Sequence, residues 1–430
     1  MTVTHDTVQS AESSADWVLR EYQETDPLTE DELTPRDRNV IANEINDDSD
    51  RISMVWLPDG RVKLRATQYV GILTLPSGLT IEVKPKVPET SLLEMLQYSQ
   101  GIQADTIAEE TSITAGREFI RALATLFETE LSDVLQRGLV KEYRERSDTE
   151  EHIRGRLDVH RQLQRQGPQP TQFECTYDEL TTDTVLNQSL LYATTVLLRL
   201  LEDGRVSAAL QRHQQILQRQ VTFRPVRTAE LEYIELSRLA NHYEDIFRLM
   251  KLILQGVYVE NLQTGESPSF SLLVNMNDIF EGVIERVFED LFAGSSMRVQ
   301  GQYSSTDLVE EGYRPIRIRP DIVVKDGTDV VFVGDAKWKE DESNDREPSN
   351  DDIYQLISYQ VAHDVPGALF YPSQEADIGS TYSSSLDHQL YLVEIPTTST
   401  VGERYPETVM RSLRESLPTT VWSRDSNGAQ

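Results

Sequence analysis

The sequence predicts a multidomain chain of mixed class, α+β passing into α/β. A small antiparallel β domain is followed by a mostly helical middle and a C-terminal α/β domain. Three observations carry this reading. Residues 50–87 alternate polar and apolar positions between Pro/Gly turns. Residues 118–257 carry apolar side chains at helical spacing. From 277 onward a helical stripe, short β-branched runs and a second helix give an αββαβ order. A length of 430 residues itself favours two or three domains.

Each element follows in turn. Residues 1–48 are acidic and interrupted at Pro27 and Pro35, which predicts a weakly ordered arm with at most one short helix. Strands are expected at 52–57, 61–65, 69–75 and 79–84, divided by Pro58-Asp59-Gly60 and Pro76-Ser77-Gly78, so the β domain spans 49–87. Helices at 118–139, 184–201 and 233–257, with charged strand-like pieces in 141–182, place the middle domain at 88–265. A helix over 277–292 presents Ile279, Val283, Ile284, Val287, Phe288 and Leu291 on one face. Phe280, Val283 and Val287 are expected to pack it on a sheet. Strands at 316–324, 330–338, 368–371 and 389–395 and a helix at 353–362 complete a domain over 266–419, and 420–430 reads as a disordered tail.

Composition narrows the function classes. A single cysteine, Cys175, excludes an intramolecular disulfide framework and a Cys-cluster zinc site. No apolar run is long enough for a transmembrane helix, and the first residues lack a signal-peptide pattern. The expected location is the cytoplasm. The net charge of −31 argues at first against nucleic acid. Acidity is spread along the whole chain, however, and 8 of the 41 basic residues are lysine. That pattern is expected of a halophilic source. In molar salt the Debye length is about 3 Å, so surface charge says little about partners.

The chemistry concentrates in Pro320-Asp321-Ile-Val-Val-Lys-Asp326-Gly327-Thr328-Asp-Val-Val-Phe-Val-Gly-Asp335-Ala-Lys337. Both aspartates interrupt apolar strands, where an unused charge is costly. Asp335 and Lys337 are two apart on a strand and share a face. A two-residue turn pairing Asp321 with Phe332 puts the aspartates on opposite faces. A three-residue loop, Asp326-Gly327-Thr328, pairs Asp321 with Val333 and leaves Asp335 as its diagonal same-face neighbour, roughly 7 Å away. The three-residue loop is therefore expected, with Gly327 left-handed. Two carboxylates so placed can share a Mg²⁺ or Mn²⁺ ion, and a nearby ammonium can support attack of water on a phosphodiester.

Pro320-Asp321 and Asp335-Ala336-Lys337 resemble both halves of the PD-(D/E)xK nuclease signature, which implies a restriction-endonuclease-like C-terminal domain. Glu281, on the preceding helix, matches the superfamily's acidic metal ligand; with Glu285 and Glu289 following at the same spacing it also reads as a plain helix-surface residue. Gln355 and Tyr359 resemble the QxxxY element of the RecB-like branch and share a helix face. They also fit as structural residues.

Segments outside this domain resemble, in order, the McrC family, the nuclease subunits of McrBC-type modification-dependent (5-methylcytosine) restriction systems. They are Tyr69–Leu73 with Ile81–Lys86, Arg137–Tyr143, His152–Asp158, Asp183–Asn187 and Asn241–Tyr243. The resemblance covers about 65–400. It implies Mg²⁺-dependent cleavage of double-stranded, cytosine-modified DNA with an McrB-like AAA+ GTPase hexamer. The partner would bind GTP, and this chain has no GxxxxGK[ST] loop. A RecB-like repair exonuclease without a GTPase and a non-catalytic activator of an AAA+ ring are the alternatives. Arg154-Gly155-Arg156 and Lys84-Pro85-Lys86 are basic spots open to DNA, to a partner or to solvent alone. His152, His160 and Cys175 are expected to be two surface residues and one core residue.

Overall fold

The computed structural model describes residues 15–47, 49–101, 117–165, 171–201, 204–234, 236, 238–259, 270–301, 307–309, 316–338, 348–373, 381–383 and 388–422. The chain divides into two compact units, one formed by 1–119 with 256–430 and the other by 120–255.

The first unit opens with β1 (Trp17–Arg20). With β2 (Tyr69–Thr74), β3 (Thr80–Lys84), β4 (Phe270–Asn275) and the edge strand Val257–Val259 it makes a five-stranded sheet in the order β1-β3-β2-β4-edge. β1 runs parallel to β3, and β4 is antiparallel to β2. The expected self-contained antiparallel domain over 49–87 is thus corrected. Its sheet recruits a parallel strand from the arm and another strand from beyond the middle of the chain. Ile52–Trp56 and Val62–Ala66 form a separate two-stranded hairpin.

The arm is also corrected. Over 15–47 it is built into the core through Leu19, Leu28, Leu33, Val40, Ile41 and Ile45, which pack with Ile52, Leu64, Leu73 and Val83. Thr34 caps the short helix Pro35–Val40 in a reciprocal pair with Asp37. The acidic residues that set the arm's composition hide a sparse apolar set. Residues 1–14 lie outside the described residues.

The helix Glu89–Ser99, expected in the middle domain, belongs to this unit and packs on α1 (Met276–Phe292), whose Gly282 admits Ser99. The Tyr98 hydroxyl donates to Asp290 at 2.9 Å. Then come β5 (Met297–Gly301), β6 (Ile322–Asp326), β7 (Asp329–Ala336), α2 (Asn350–His363), β8 (Gly367–Pro372), β9 (Gln389–Ile395) and α3 (Tyr405–Ser416). The strands form a six-stranded sheet in the order β5-β6-β7-β8-β9-Thr381–Ser383. β6 is antiparallel to both β5 and β7; β7, β8 and β9 run parallel. The single strand expected over 316–324 is broken at 318–321, since Pro320 cannot donate to a ladder.

α1 buries Ile279, Phe280, Val283, Ile284, Val287 and Phe288, as its stripe predicts. Phe288 lies 5.8 Å from both Phe332 and Phe370. α2 packs through Leu356 and Tyr359 on Val323, Val333, Leu369 and Tyr371. Of the expected tail, residues up to 422 are in the helix Thr419–Trp422, with the Trp422 ring 5.8 Å from Phe288. Residues 423–430 lie outside the described residues.

The second unit contains the helices Val185–Leu200 and Arg205–Gln218, the greater part of Arg117–Arg137 and of Glu244–Gly256, and a long hairpin of Glu142–Glu150 with Phe173–Thr181. The last helix starts later than expected, after a 3₁₀ turn over Arg238–Tyr243. Buried Asn187 donates to the carbonyls of Val140 (2.9 Å) and Thr182 (2.8 Å) and accepts from the Tyr243 hydroxyl (2.7 Å). Cys175 is buried, and His152 and His160 are exposed, as expected. Arg154 stacks on Tyr177 at 3.9 Å.

Gly71 tests the recruited strand. Its φ is +147°, and a Cβ there would stand 1.9 Å from the Leu272 carbonyl oxygen of β4. Gly60, at φ +86°, faces open space. In urea titrations, Gly71→Ala is expected to cost about 3 kcal/mol or more, against about 1 kcal/mol for Gly60→Ala. Equal small losses would contradict the close approach of β2 and β4.

Candidate active site

The site is built where β6 and β7 diverge from Pro320. The register runs Ile322↔Gly334, Val323↔Val333 and Val324↔Phe332, then shifts to Lys325↔Val330 and Asp326↔Asp329. The turn is therefore the two-residue Gly327-Thr328, with Val331 as a bulge, and not the expected three-residue loop. Gly327 is left-handed, at φ +65°. The bulge, which no turn rule anticipates, supplies the register change. Continued by one residue, the pairing sets Asp321 opposite Asp335 itself, so the two share a face by a different route.

Asp335 is 1% exposed. Asp321 accepts from the Ala336 backbone N–H at 2.9 Å, and the charge of Asp335 acts on it. Lys337 lies just past the last residue of β7, its N–H donating to the Phe370 carbonyl at 2.8 Å. Its ammonium forms an ion pair with Asp335 and donates to Gln355 Oε1 at 2.9 Å. Gln355 Nε2 donates to the Tyr359 hydroxyl oxygen at 2.7 Å, and that hydroxyl donates to the Arg319 carbonyl at 3.2 Å. Of the six residues singled out from sequence, Asp335, Lys337, Gln355 and Tyr359 are thus joined in one network, and Asp321 lies opposite Asp335.

Glu281 is the sixth. It is half-buried on α1, and its charge acts on Asp321. Burial first, then the charges of Asp335 and Glu281, push the Asp321 carboxyl up to about 8, against the lowering effect of the Ala336 N–H and Lys337. Asp335 is also raised, burial outweighing the Lys337 ammonium. The Tyr359 hydroxyl is raised by burial and by Asp335. Lys339 lies outside the described residues.

Sequence reasoning missed Asp352, which follows an acidic stretch over 340–351. Asp352 is buried in the first turn of α2, capped by Ser349, and accepts from the Tyr371 hydroxyl at 3.3 Å. Its charge also raises Asp335. The available signal was spacing: 352, 355 and 359 fall at i, i+3 and i+7, one face of a helix. The Lys337 ammonium stands beside Asp335, and the charges of Glu281 and Asp352 act on Asp321 and Asp335 respectively. Oxygen donors of this kind suit a hard divalent cation, which takes one or two carboxylates with water and substrate phosphate. Among the described residues no group of three or more His, Cys, Asp or Glu is positioned to hold a metal ion. Also among them, no helix is long and apolar enough to cross a membrane.

The profile of the family described as McrBC 5-methylcytosine restriction system component matches residues 64–372. A chain of the refined half-complex from the tetradecameric assembly of Thermococcus gammatolerans McrB AAA+ hexamers with bound McrC is 21% identical. The match covers 93% of this chain and 99% of that one, with a TM-score of 0.55. A second match, in the Thermococcus gammatolerans McrBC complex, is 21% identical over 64% of this chain and 87% of that one, with a TM-score of 0.44. No curated protein sequence matches.

The raised Asp321 has a thermodynamic consequence. The folded chain holds this proton up to about pH 8, whereas an unfolded aspartate releases it near its ordinary value of about 3.9. Between those limits the folded state binds more protons, so stability falls as pH rises. In EDTA, calorimetry is expected to show a falling unfolding midpoint from pH 5 to pH 8, and Asp321→Asn is expected to flatten that slope. A midpoint rising over this interval in the wild type, unaffected by the substitution, would contradict the assignment.

Proposed function

Because this chain belongs to the family of McrBC 5-methylcytosine restriction system components, we propose that it is the McrC-like nuclease subunit of such a system. It hydrolyses DNA phosphodiester bonds with Mg²⁺ or Mn²⁺. The observation that carries this reading is buried Asp335 opposite half-buried Asp321, with Lys337 on adjoining strands.

Asp321 and Asp335 would hold the ion together with water and substrate phosphate, and Glu281 from α1 would join them as a ligand only on moving closer. Bound there, it polarises the phosphate and lowers the pKa of water. The protein's own groups do the remaining work. Gln355 holds the Lys337 ammonium, and Tyr359 holds Gln355. The ammonium is thereby kept beside the carboxylates, where it can stabilise the developing charge on a phosphoryl oxygen. Lysine suits this role as a compact donor; an arginine fork would not occupy the same point.

The partner follows from the same family. The similar solved assembly contains McrB AAA+ hexamers with bound McrC. An McrB-like AAA+ GTPase hexamer is the proposed partner here, binding GTP and reading modified cytosine, while this chain cuts.

Asp335→Ala is expected to lower cleavage of methylated plasmid, assayed with the partner GTPase and GTP, by more than about 100-fold. That exceeds the usual loss on removing a group that merely supports a ligand. Co-elution with the partner should persist. Lys337→Gln is expected to keep Mn²⁺ binding and lose about 100-fold or more in rate. Wild-type cleavage by Asp335→Ala would remove the nuclease assignment.

A further inference from the structure

Trp338 follows Lys337 directly and is fully buried. Its indole N–H donates to Glu21 Oε1 at 2.7 Å, and its carbonyl accepts from the Tyr22 hydroxyl at 2.9 Å. The other Glu21 oxygen accepts the Lys86 backbone N–H at 2.7 Å, and the Lys86 ammonium stands 4.5 Å from the centre of the Trp338 ring. Glu21 continues the pairing of β1 with β3 through its N–H to the Lys84 carbonyl at 3.1 Å. The Trp338 ring also packs on Phe280, 5.4 Å between centroids, and Phe280 adjoins Glu281 on α1. One indole thus touches the neighbours of both Lys337 and Glu281 and is held by the ends of β1 and β3.

Packing alone does not account for this arrangement. Glu21 is 2% exposed, and a buried carboxylate is costly unless hydrogen-bonded, so its bonds to Trp338 and Lys86 are needed to hold it there. Tyr22 adopts φ +66°, rare for a tyrosine, and its hydroxyl meets the Trp338 carbonyl. Such backbone outliers gather at sites the surrounding structure holds in place.

We infer that Glu21, acting through Trp338, is a positioning residue of the hydrolytic centre. It fixes the strand end that carries Lys337 and the stretch of α1 that carries Glu281. The basic spot Lys84-Pro85-Lys86 then acquires a role in this lock through Lys86. The inference rests on the nuclease reading above. It adds that the N-terminal sheet sets the geometry of the centre.

The test uses the full chain and Mn²⁺ alone, titrated by calorimetry. Trp338→Phe removes the indole N–H and keeps an aromatic ring against Phe280. Glu21→Gln keeps the shape and loses the charge. Each is expected to weaken Mn²⁺ binding about 10-fold, the low end for groups that orient ligands. The double variant should be no worse than the weaker-binding single, because both act through one bond. Leu33→Ala, a core truncation away from the lock, should lower the melting temperature and leave Mn²⁺ affinity unchanged. Unchanged affinity in both single variants, or losses that multiply in the double, would overturn the inference. If Glu21→Gln does not fold, Trp338→Phe decides by the same affinity criterion. Wild-type Mn²⁺ binding that Asp335→Ala abolishes but the lock variants leave intact defeats this inference alone. A wild-type chain that binds no Mn²⁺, with Asp335→Ala cleaving normally, defeats the nuclease reading and this inference together.

Discussion

Two carboxyls forced together out of water, with one ammonium to answer them, are the constraint on which the C-terminal fold turns. Removing a carboxylate from water costs several kcal/mol even after relaxation. The chain accepts that cost at Asp321 and Asp335 and adds Glu281 and Asp352 to the same field. Lys337 offsets part of it, and Gln355 and Tyr359 hold the ammonium in place. A purely structural ion pair would need one acid and one base, both satisfied. Here Asp335 meets a second carboxyl, Asp321, as well as the Lys337 ammonium. That arrangement suits a centre that takes a divalent ion and a phosphate.

The sheet explains how this arrangement is held. β7 is antiparallel to β6 on one side and parallel to β8 on the other, so Asp335 lies in the middle of a six-stranded sheet. α1 covers one face and α2 the other, as their contacts with Phe332 and with Val333 and Leu369 show. Glu281, on α1, and the stripe of α2 carrying Asp352, Gln355 and Tyr359 bring polar groups from two helices to the end of one strand. The centre requires the whole sandwich, because no single element contains it.

Local pattern made much of this legible in the sequence. α1, α2 and the strands β6 to β9 follow from apolar periodicity, and Asp321, Asp335 and Lys337 stood out as charges interrupting apolar strands. Features set by long-range pairing were not legible. The bulge at Val331 changes the register without a turn signal, so the three-residue loop was the wrong route to a correct same-face placement. The acidic arm concealed Leu19, Leu28, Leu33 and Ile41 because composition averages over the few side chains that enter the core. β4 completes the N-terminal sheet from about 200 residues downstream of β2, and single-strand periodicity carries no information about which partner a strand will find. Asp352 was overlooked for a related reason: a run of acidic residues reads as solvent-facing until a helix turns one of them inward.

The charge of −31 remains to be reconciled with a DNA substrate. Affinity for a duplex comes mainly from neutralised phosphates, and this composition offers few cations for that purpose. The hydrolytic centre does not remove the difficulty, since its protein groups are mostly acidic. Two consequences follow under the proposed function. A divalent ion held by Asp321 and Asp335 would reduce the negative field that a scissile phosphate meets there. Something other than the chain's overall charge must also bring the duplex to the centre. A ring-forming partner that grips and moves DNA meets this requirement. In that arrangement weak intrinsic affinity confines cutting to DNA the partner has already selected.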